Sequence, residues 1–296
     1  MPSLNAADIR RRAATLQPLL SPCRLCPREC KVDRSAGEKG FCQTGAAALV
    51  ASFGPHFGEE RPLVGRGGSG TVFFAGCNMG CIFCQNDDIS HGARGRAVTI
   101  EHLATLFLEV QKLGCHNLNL VTPSHVVPQI LEALALAVEE GFALPIVYNT
   151  GGYDRADVLK QLDGIVDIYM PDYKFTDPDV ATQLAGARDY PAVAQAALRE
   201  MHRQVGDLVI DEKGVAQRGL LVRHLVMPFG TAGTEAAFRF LAEELSRDTY
   251  LNIMAQYRPC HRAHEVDRIS RPVSATDVAR AYQLAGQFGL HRLDER

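Results

Sequence analysis

The chain has 296 residues, 46% of them hydrophobic and 22% charged, with a formal net charge of −3 and a pI near 6.4. That is enough apolar material for a large core without disulfide staples, and the charge balance leaves no basic footprint for a nucleic-acid partner. The longest apolar runs, residues 131–138 and 144–148, fall well short of the ~20 residues that span a bilayer. Arg10, Arg11 and Arg12 interrupt any apolar leader at the start of the chain, so a cytoplasmic protein without a membrane partner is expected.

Residues 1–20 read as a helix with Leu4, Ile9, Ala13, Leu16 and Leu20 on one face. Residues 21–70 are rich in Gly, Pro and Cys and show little periodicity, which sets them apart as a Cys-rich N-terminal extension. From residue 71 the pattern alternates. Strands are expected at 71–75, 117–121, 145–148, 165–170, 219–227 and 250–255. Helices are expected at 100–113 (Thr99 as N-cap, Gly114 as stop), 126–140, 155–162, 178–205, 235–246 and 275–288. Six strand–helix units of this spacing define an α/β domain over 71–296, with a parallel sheet covered by helices and a final C-terminal helix. Such folds place function at the C-terminal ends of their strands. The polar groups expected there are Thr122-Pro-Ser124-His125, Asn149-Thr-Gly-Gly152, Asp172-Tyr-Lys174 and Pro259-Cys-His261.

Seven of the nine cysteines fall between Cys23 and Cys84, in two clusters. In a chain without an export signal such clusters read first as metal ligands. The central one, Cys77-Asn-Met-Gly-Cys81-Ile-Phe-Cys84, follows the first predicted strand directly. Thiolates suit iron–sulfur clusters and zinc alike. An electron carrier needs four protein ligands for its cubane, and three close cysteines leave one iron open, as catalysis requires. A zinc loop with a distant fourth ligand, or buried inert thiols, are the other readings.

This CxxxCxxC segment, with Phe83 before its last cysteine, resembles the radical S-adenosylmethionine (radical SAM) superfamily. Gly76-Cys-Asn-x-x-Cys-x-Phe-Cys-Gln-Asn86, Asp172-x-Lys174 and Arg223-His224…Pro228 are similar to the pyruvate formate-lyase activating enzyme branch. With Cys23-x-x-Cys26-Pro27 added, residues 20–260 look like the poorly characterised activase-like iron–sulfur proteins. The resemblance implies a partial (β/α)6 TIM-like barrel and a 4Fe–4S cluster on Cys77, Cys81 and Cys84. It implies that S-adenosylmethionine (SAM) is cleaved there to a 5′-deoxyadenosyl radical that abstracts hydrogen from substrate. An electron donor such as flavodoxin or ferredoxin is implied as a partner. A glycyl radical enzyme, a peptide or a small molecule is open as substrate. Many superfamily members carry Gly-Gly-Glu-Pro after the second strand; here the place reads Thr122-Pro-Ser-His125, without the glutamate, leaving Thr122 or Ser124 as oxygen acceptors for SAM. Asn149 with the following glycines could line its pocket. Lys174 and Arg223 could meet its carboxylate, and Asp172 could orient Lys174 or bind ribose. A structural ion pair between neighbouring strands is the alternative for the last three.

Cys23, Cys26, Cys30 and Cys42 complete a four-thiol set within 20 residues. Zinc or a 4Fe–4S cluster would fit it equally, as a staple or as an electron relay. Cys260, His261 and His264 follow the sixth strand without completing a metal site by themselves, and Cys115 reads as a core thiol. The segment from Gly58 to Gly70 bridges the two cysteine clusters with no chemistry assignable from its residues. Radical enzyme, two-centre electron carrier and zinc-binding structural protein are therefore the competing functions, and the incomplete central shell favours the first.

Overall fold

The computed structural model describes residues 5–294. Its strands are β1 (Ala48–His56), β2 (Ser69–Phe74), β3 (Arg96–Val98), β4 (Leu118–Val121), β5 (Ile146–Thr150), β6 (Ile168–Pro171), β7 (Val209–Ile210), β8 (Ala216–Leu225) and β9 (Tyr250–Met254). Its α-helices are α1 (Ala6–Leu16), α2 (Arg61–Val64), α3 (Asp87–Ser90), α4 (Ile100–Lys112), α5 (Val127–Glu139), α6 (Ala156–Leu159), α7 (Pro178–Ala185), α8 (Tyr190–Val205), α9 (Thr234–Phe240) and α10 (Ala275–Phe288).

Six strands run parallel in the order β2-β4-β5-β6-β8-β9, each new strand added beside the last. These are the six expected from the sequence, and their one-way winding under helices makes a partial (β/α)6 barrel. β5 and β6 are buried at every position, because both of their faces are covered. Alternation along them sorts the side chains. Tyr148 and Tyr169 point outward beneath the helices. Val147, Ile168, Met170 and Leu221 point inward and meet Leu63 of α2, which plugs the interior. Two residues further along the same inward rows stand Asn149, Asp172 and Arg223.

The structure departs from the sequence expectations at several points. The first helix is α1 followed by a 3₁₀ turn at Gln17–Leu19, and Leu4 lies outside the described residues. The region 178–205 is two helices, because Gly186 takes a left-handed φ of 60° and ends α7. After α9 the last turn, Leu241–Leu245, is a π-helix, and α6 passes into a 3₁₀ turn at Lys160–Leu162. β1, β3 and β7 were not expected; β1 pairs antiparallel with β2, and β3 and β7 pair antiparallel with β1 and β8. α1 packs along α5 and is tied to it by an Arg10–Glu139 ion pair. One core thus runs from Ile9 to Leu290, and residue 70 marks a change of sequence character, not a break in packing. Among the described residues, no helix is long and apolar enough to cross a membrane.

Candidate active site

β2 delivers the chain to Ala75 and Gly76 at the C-terminal end of the parallel sheet. Gly76 has φ +84°, and a Cβ there would lie 2.3 Å from the Cys42 carbonyl oxygen, so only glycine fits. The loop that follows is fixed by backbone donors. Gly80 N–H donates to Ala185 O at 3.2 Å, Ile82 N–H to Leu184 O at 2.9 Å, and Arg262 N–H to Ile82 O at 2.8 Å. The Asn78 side chain donates to Tyr153 O at 2.6 Å. So held, Cys77, Cys81 and Cys84 line one cavity of about 450 Å³, within the range of small-molecule and cofactor sites.

Cys81 is buried, and Cys77 and Cys84 are half-buried at the mouth. Burial pushes the Cys77 thiol up to about 12 and the Cys81 thiol up to about 11, with the Lys174 ammonium pulling both back. Left alone these groups stay protonated at neutral pH, and a bound cationic metal group is what would hold them as thiolates. Met79 N–H donates to Cys77 Sγ at 3.3 Å, and the Ser90 hydroxyl lies 3.1 Å from Cys84 Sγ; hydrogen bonds to sulfur of this kind tune iron–sulfur clusters. A single zinc would need its sulfurs at about 2.3 Å from one point, and among the described residues no three Cys, His, Asp or Glu side chains are so gathered. A cubane, which spreads its thiolates over separate irons, asks only for neighbouring thiols that face one space, and these do.

Across the cavity the inward rows of β5, β6 and β8 end in a connected polar chain. Asp172 Oδ1 accepts from Arg223 Nε at 2.7 Å, and its other oxygen accepts from Lys174 Nζ. Arg223 Nη2 donates to Asn149 Oδ1 at 2.8 Å. Burial opposes the Asp172 charge, yet Arg223 and Lys174 outweigh it and hold the carboxyl below its usual value. Burial likewise works against the Lys174 ammonium, but Asp172 and Cys81 more than offset it and raise its pKa. Two cations flank one carboxylate, with Glu59 and Glu60 also acting on Arg223, and the ammonium and guanidinium are the groups suited to a ligand carboxylate.

A family model for the Radical SAM superfamily matches residues 71–210. An uncharacterized protein of Methanocaldococcus jannaschii is 31% identical over 277 residues, an alignment that covers 90% of this chain and 75% of that one. The chain carries a radical SAM superfamily domain. A crystal structure of a radical SAM methyltransferase from Sphaerobacter thermophilus aligns with a TM-score of 0.49 and 19% identity. That alignment covers 75% of this chain and 64% of the neighbour, less than two thirds of its length. That domain implies a 4Fe–4S cluster and SAM as cofactors, and the cavity just described has the thiols and the cationic side chains to take both.

In this radical SAM chain the structure sorts the residues singled out from sequence. Thr122, Asn149, Asp172, Lys174 and Arg223 all line the cavity with the three cysteines. Thr122 does so from a left-handed φ of 60°, unusual for a β-branched residue. Ser124 is a correction. It is buried away from the cavity, where its hydroxyl meets Thr150 Oγ1 at 3.0 Å and Thr150 in turn donates to Asp154 at 2.6 Å. Gly152 is required by its fold, not by a ligand, since a Cβ there would lie 2.3 Å from Asp172 O. His224 points out of the barrel, bonded to Tyr173 O and Thr234 Oγ1. Of Cys260, His261 and His264, only His261 gains notable company: its Nδ1 lies 3.3 Å from Asp87 Oδ2, and its ring centroid lies 4.8 Å from that of His91. His91, with His56, Glu59 and Tyr257, also lines the cavity. These four carry no sequence signal, because they reach the site from segments with no motif. Glu59 is half-buried, and that burial raises its pKa against the pull of Arg223.

The N-terminal thiols also come together. Cys23, Cys26 and Cys42 are buried and Cys30 half-buried. Burial pushes the Cys26 thiol up to about 12, with Cys42, Cys23 and Cys30 all close enough to add to the effect. Phe41 N–H donates to Cys30 Sγ at 3.3 Å. Buried Arg34 fastens the segment to the barrel through His125 O at 2.8 Å and folds it on itself through Gly45 O at 2.9 Å. Cys115 is buried in the core.

Proposed function

We propose that this protein cleaves SAM reductively at a 4Fe–4S cluster held by Cys77, Cys81 and Cys84, releasing a 5′-deoxyadenosyl radical that abstracts hydrogen from a substrate. The observation that carries the reading is one cavity lined both by three thiols and by the Asn149–Arg223–Asp172–Lys174 chain. In it Lys174 and Arg223 bind and orient the SAM carboxylate. Asp172 keeps both cations aimed inward, and Thr122 supplies an oxygen acceptor in place of the missing glutamate. The apolar walls formed by Phe73, Phe83 and Met254 exclude water from the radical.

The similarity of Gly76–Asn86, Asp172-x-Lys174 and Arg223 to the pyruvate formate-lyase activating enzyme branch supports a peptide hydrogen donor, with a glycyl radical enzyme as the first partner to test. A low-potential donor such as flavodoxin or ferredoxin supplies the electron. At the N-terminus we propose a second centre on Cys23, Cys26, Cys30 and Cys42, a 4Fe–4S cluster in preference to zinc. Four neighbouring thiols, with an N–H aimed at one of them, support it. Anaerobic reconstitution with iron and sulfide, followed by reduction with dithionite in the presence of SAM, tests the main reading. 5′-Deoxyadenosine and methionine are expected; a fully loaded cluster that releases neither would leave an electron carrier as the function.

A further inference from the structure

The two cysteine segments are adjacent, and one side chain spans them. Arg28 lies between Cys26 and Cys30, so whatever draws those thiols together also sets the position of its backbone. Its Nε donates to Asn78 O, inside the Cys77–Cys81 loop, at 2.8 Å. Its Nη2 donates to Ala185 O at 3.1 Å, and its Nη1 bonds Gly186 O. Those two carbonyls end α7, where a cation is favoured by the helix dipole. Ala185 O is also the acceptor of Gly80 N–H. The guanidinium is sandwiched by aromatic rings, 3.8 Å from the Phe41 centroid and 5.3 Å from that of Tyr153. Phe41 in turn closes over Gly80, where a Cβ would lie 2.9 Å from its ring. The same segment meets the other end of the loop through the Cys42 carbonyl packed on Gly76.

We infer that Arg28 is a positioning residue for the Cys77–Cys81–Cys84 cluster: it locks the catalytic loop onto α7 and places a fixed positive charge on the Cys77–Cys81 loop, and it does so from within the N-terminal thiol site. This rests on the radical SAM reading of the cavity. Its rigid fork serves three carbonyls on two segments at once, which lysine cannot do. Its guanidinium sits on the loop that carries Cys77 and Cys81, bonded to Asn78 O. A positive charge near a cluster thiolate favours the reduced, more negative state, so Arg28 holds the cluster potential up.

The test compares full-length wild type, Arg28→Ala and Arg28→Lys after anaerobic reconstitution. The readouts are iron and sulfide per chain, the potential of the cluster by EPR-monitored titration, and the change in its EPR signal on adding SAM. Arg28→Ala is expected to move the potential to a more negative value and to lose most of the SAM-induced change. Arg28→Lys is expected to keep the potential near wild type while weakening the SAM response, because it keeps the charge and loses the fork. Arg28→Ala that matches wild type in both potential and SAM response overturns the inference. If Arg28→Ala does not fold, Arg28→Lys decides alone, and a wild-type SAM response in it overturns the bridging role. A wild-type protein with no SAM-responsive cluster removes the radical SAM reading itself, and the inference with it.

Discussion

Cys81 is buried, and its thiol is held protonated by that burial unless a metal group takes the proton's place. Cys81→Ala should therefore abolish SAM cleavage while the N-terminal metal is retained, which iron, zinc and 5′-deoxyadenosine measurements on one preparation can check. Full cleavage by the variant would exclude the central cluster as the reacting centre. Lys174 makes a different prediction. Asp172 keeps Arg223 as a partner when Lys174 is removed, so Lys174→Ala should fold and assemble its cluster. What it loses is a charge-assisted bond to the SAM carboxylate, worth ~1.5–3 kcal/mol, or roughly a 10- to 150-fold rise in Kd. SAM titrations that superimpose on wild type would reduce Lys174 to a tie for Asp172. At this scale the sequence was legible where residues sit next to a motif or at a strand end. Ser124 is not legible in this way, because a strand-end hydroxyl looks the same in sequence whether it faces a cavity or, as here, turns back on Thr150.

The elements that make the site are the strand ends and two loops with little regular structure. The N-terminal segment has few apolar residues of its own and is pinned by Arg34, Arg28 and the Arg155–Glu29 ion pair. A metal centre on its four thiols would order it further. In the Cys77/Cys81/Cys84 triple alanine variant, which isolates that centre, about four irons and sulfides per chain are expected. One zinc and no iron would make the segment a structural staple. Neither metal in a chain that stays folded would remove the second centre altogether. β1 escaped notice because it contains Gly54 and Pro55, which disfavour a strand by local propensity. Only pairing with β2 makes it one. The break between α7 and α8 turns on Gly186, whose left-handed φ is a property of the fold around it.

For the molecule as a whole, two buried histidines set a pH dependence. His125 bonds Ala75 O behind the catalytic loop, and His224 bridges Tyr173 O and Thr234 behind β8. Burial depresses both to about 4 from the ordinary 6.5. The unfolded chain thus takes up protons near pH 6.5 that the folded chain refuses, so stability is full above that pH and is lost as pH falls towards 4. The urea midpoint of the metal-free protein should fall between pH 7 and pH 5. A flat profile across that interval would show that neither histidine is held neutral.

The sequence by itself determined the six-strand winding, because hydrophobic period and helix stops repeat unit by unit and need no distant contact to be read. It also determined the three-thiol motif, because a cluster's ligands must be close along a loop to meet one iron–sulfur group. Tertiary structure decided the rest. The joining of Asp172 to Arg223 depends on β6 and β8 lying side by side with their inward rows in step. The arrival of Glu59 and His91 at the cavity depends on how two loops cross the barrel. The contact of Arg28 with Asn78 depends on a segment fifty residues away in sequence packing against the catalytic loop. Such juxtapositions arise from burial shared by the whole core, and no local pattern records them.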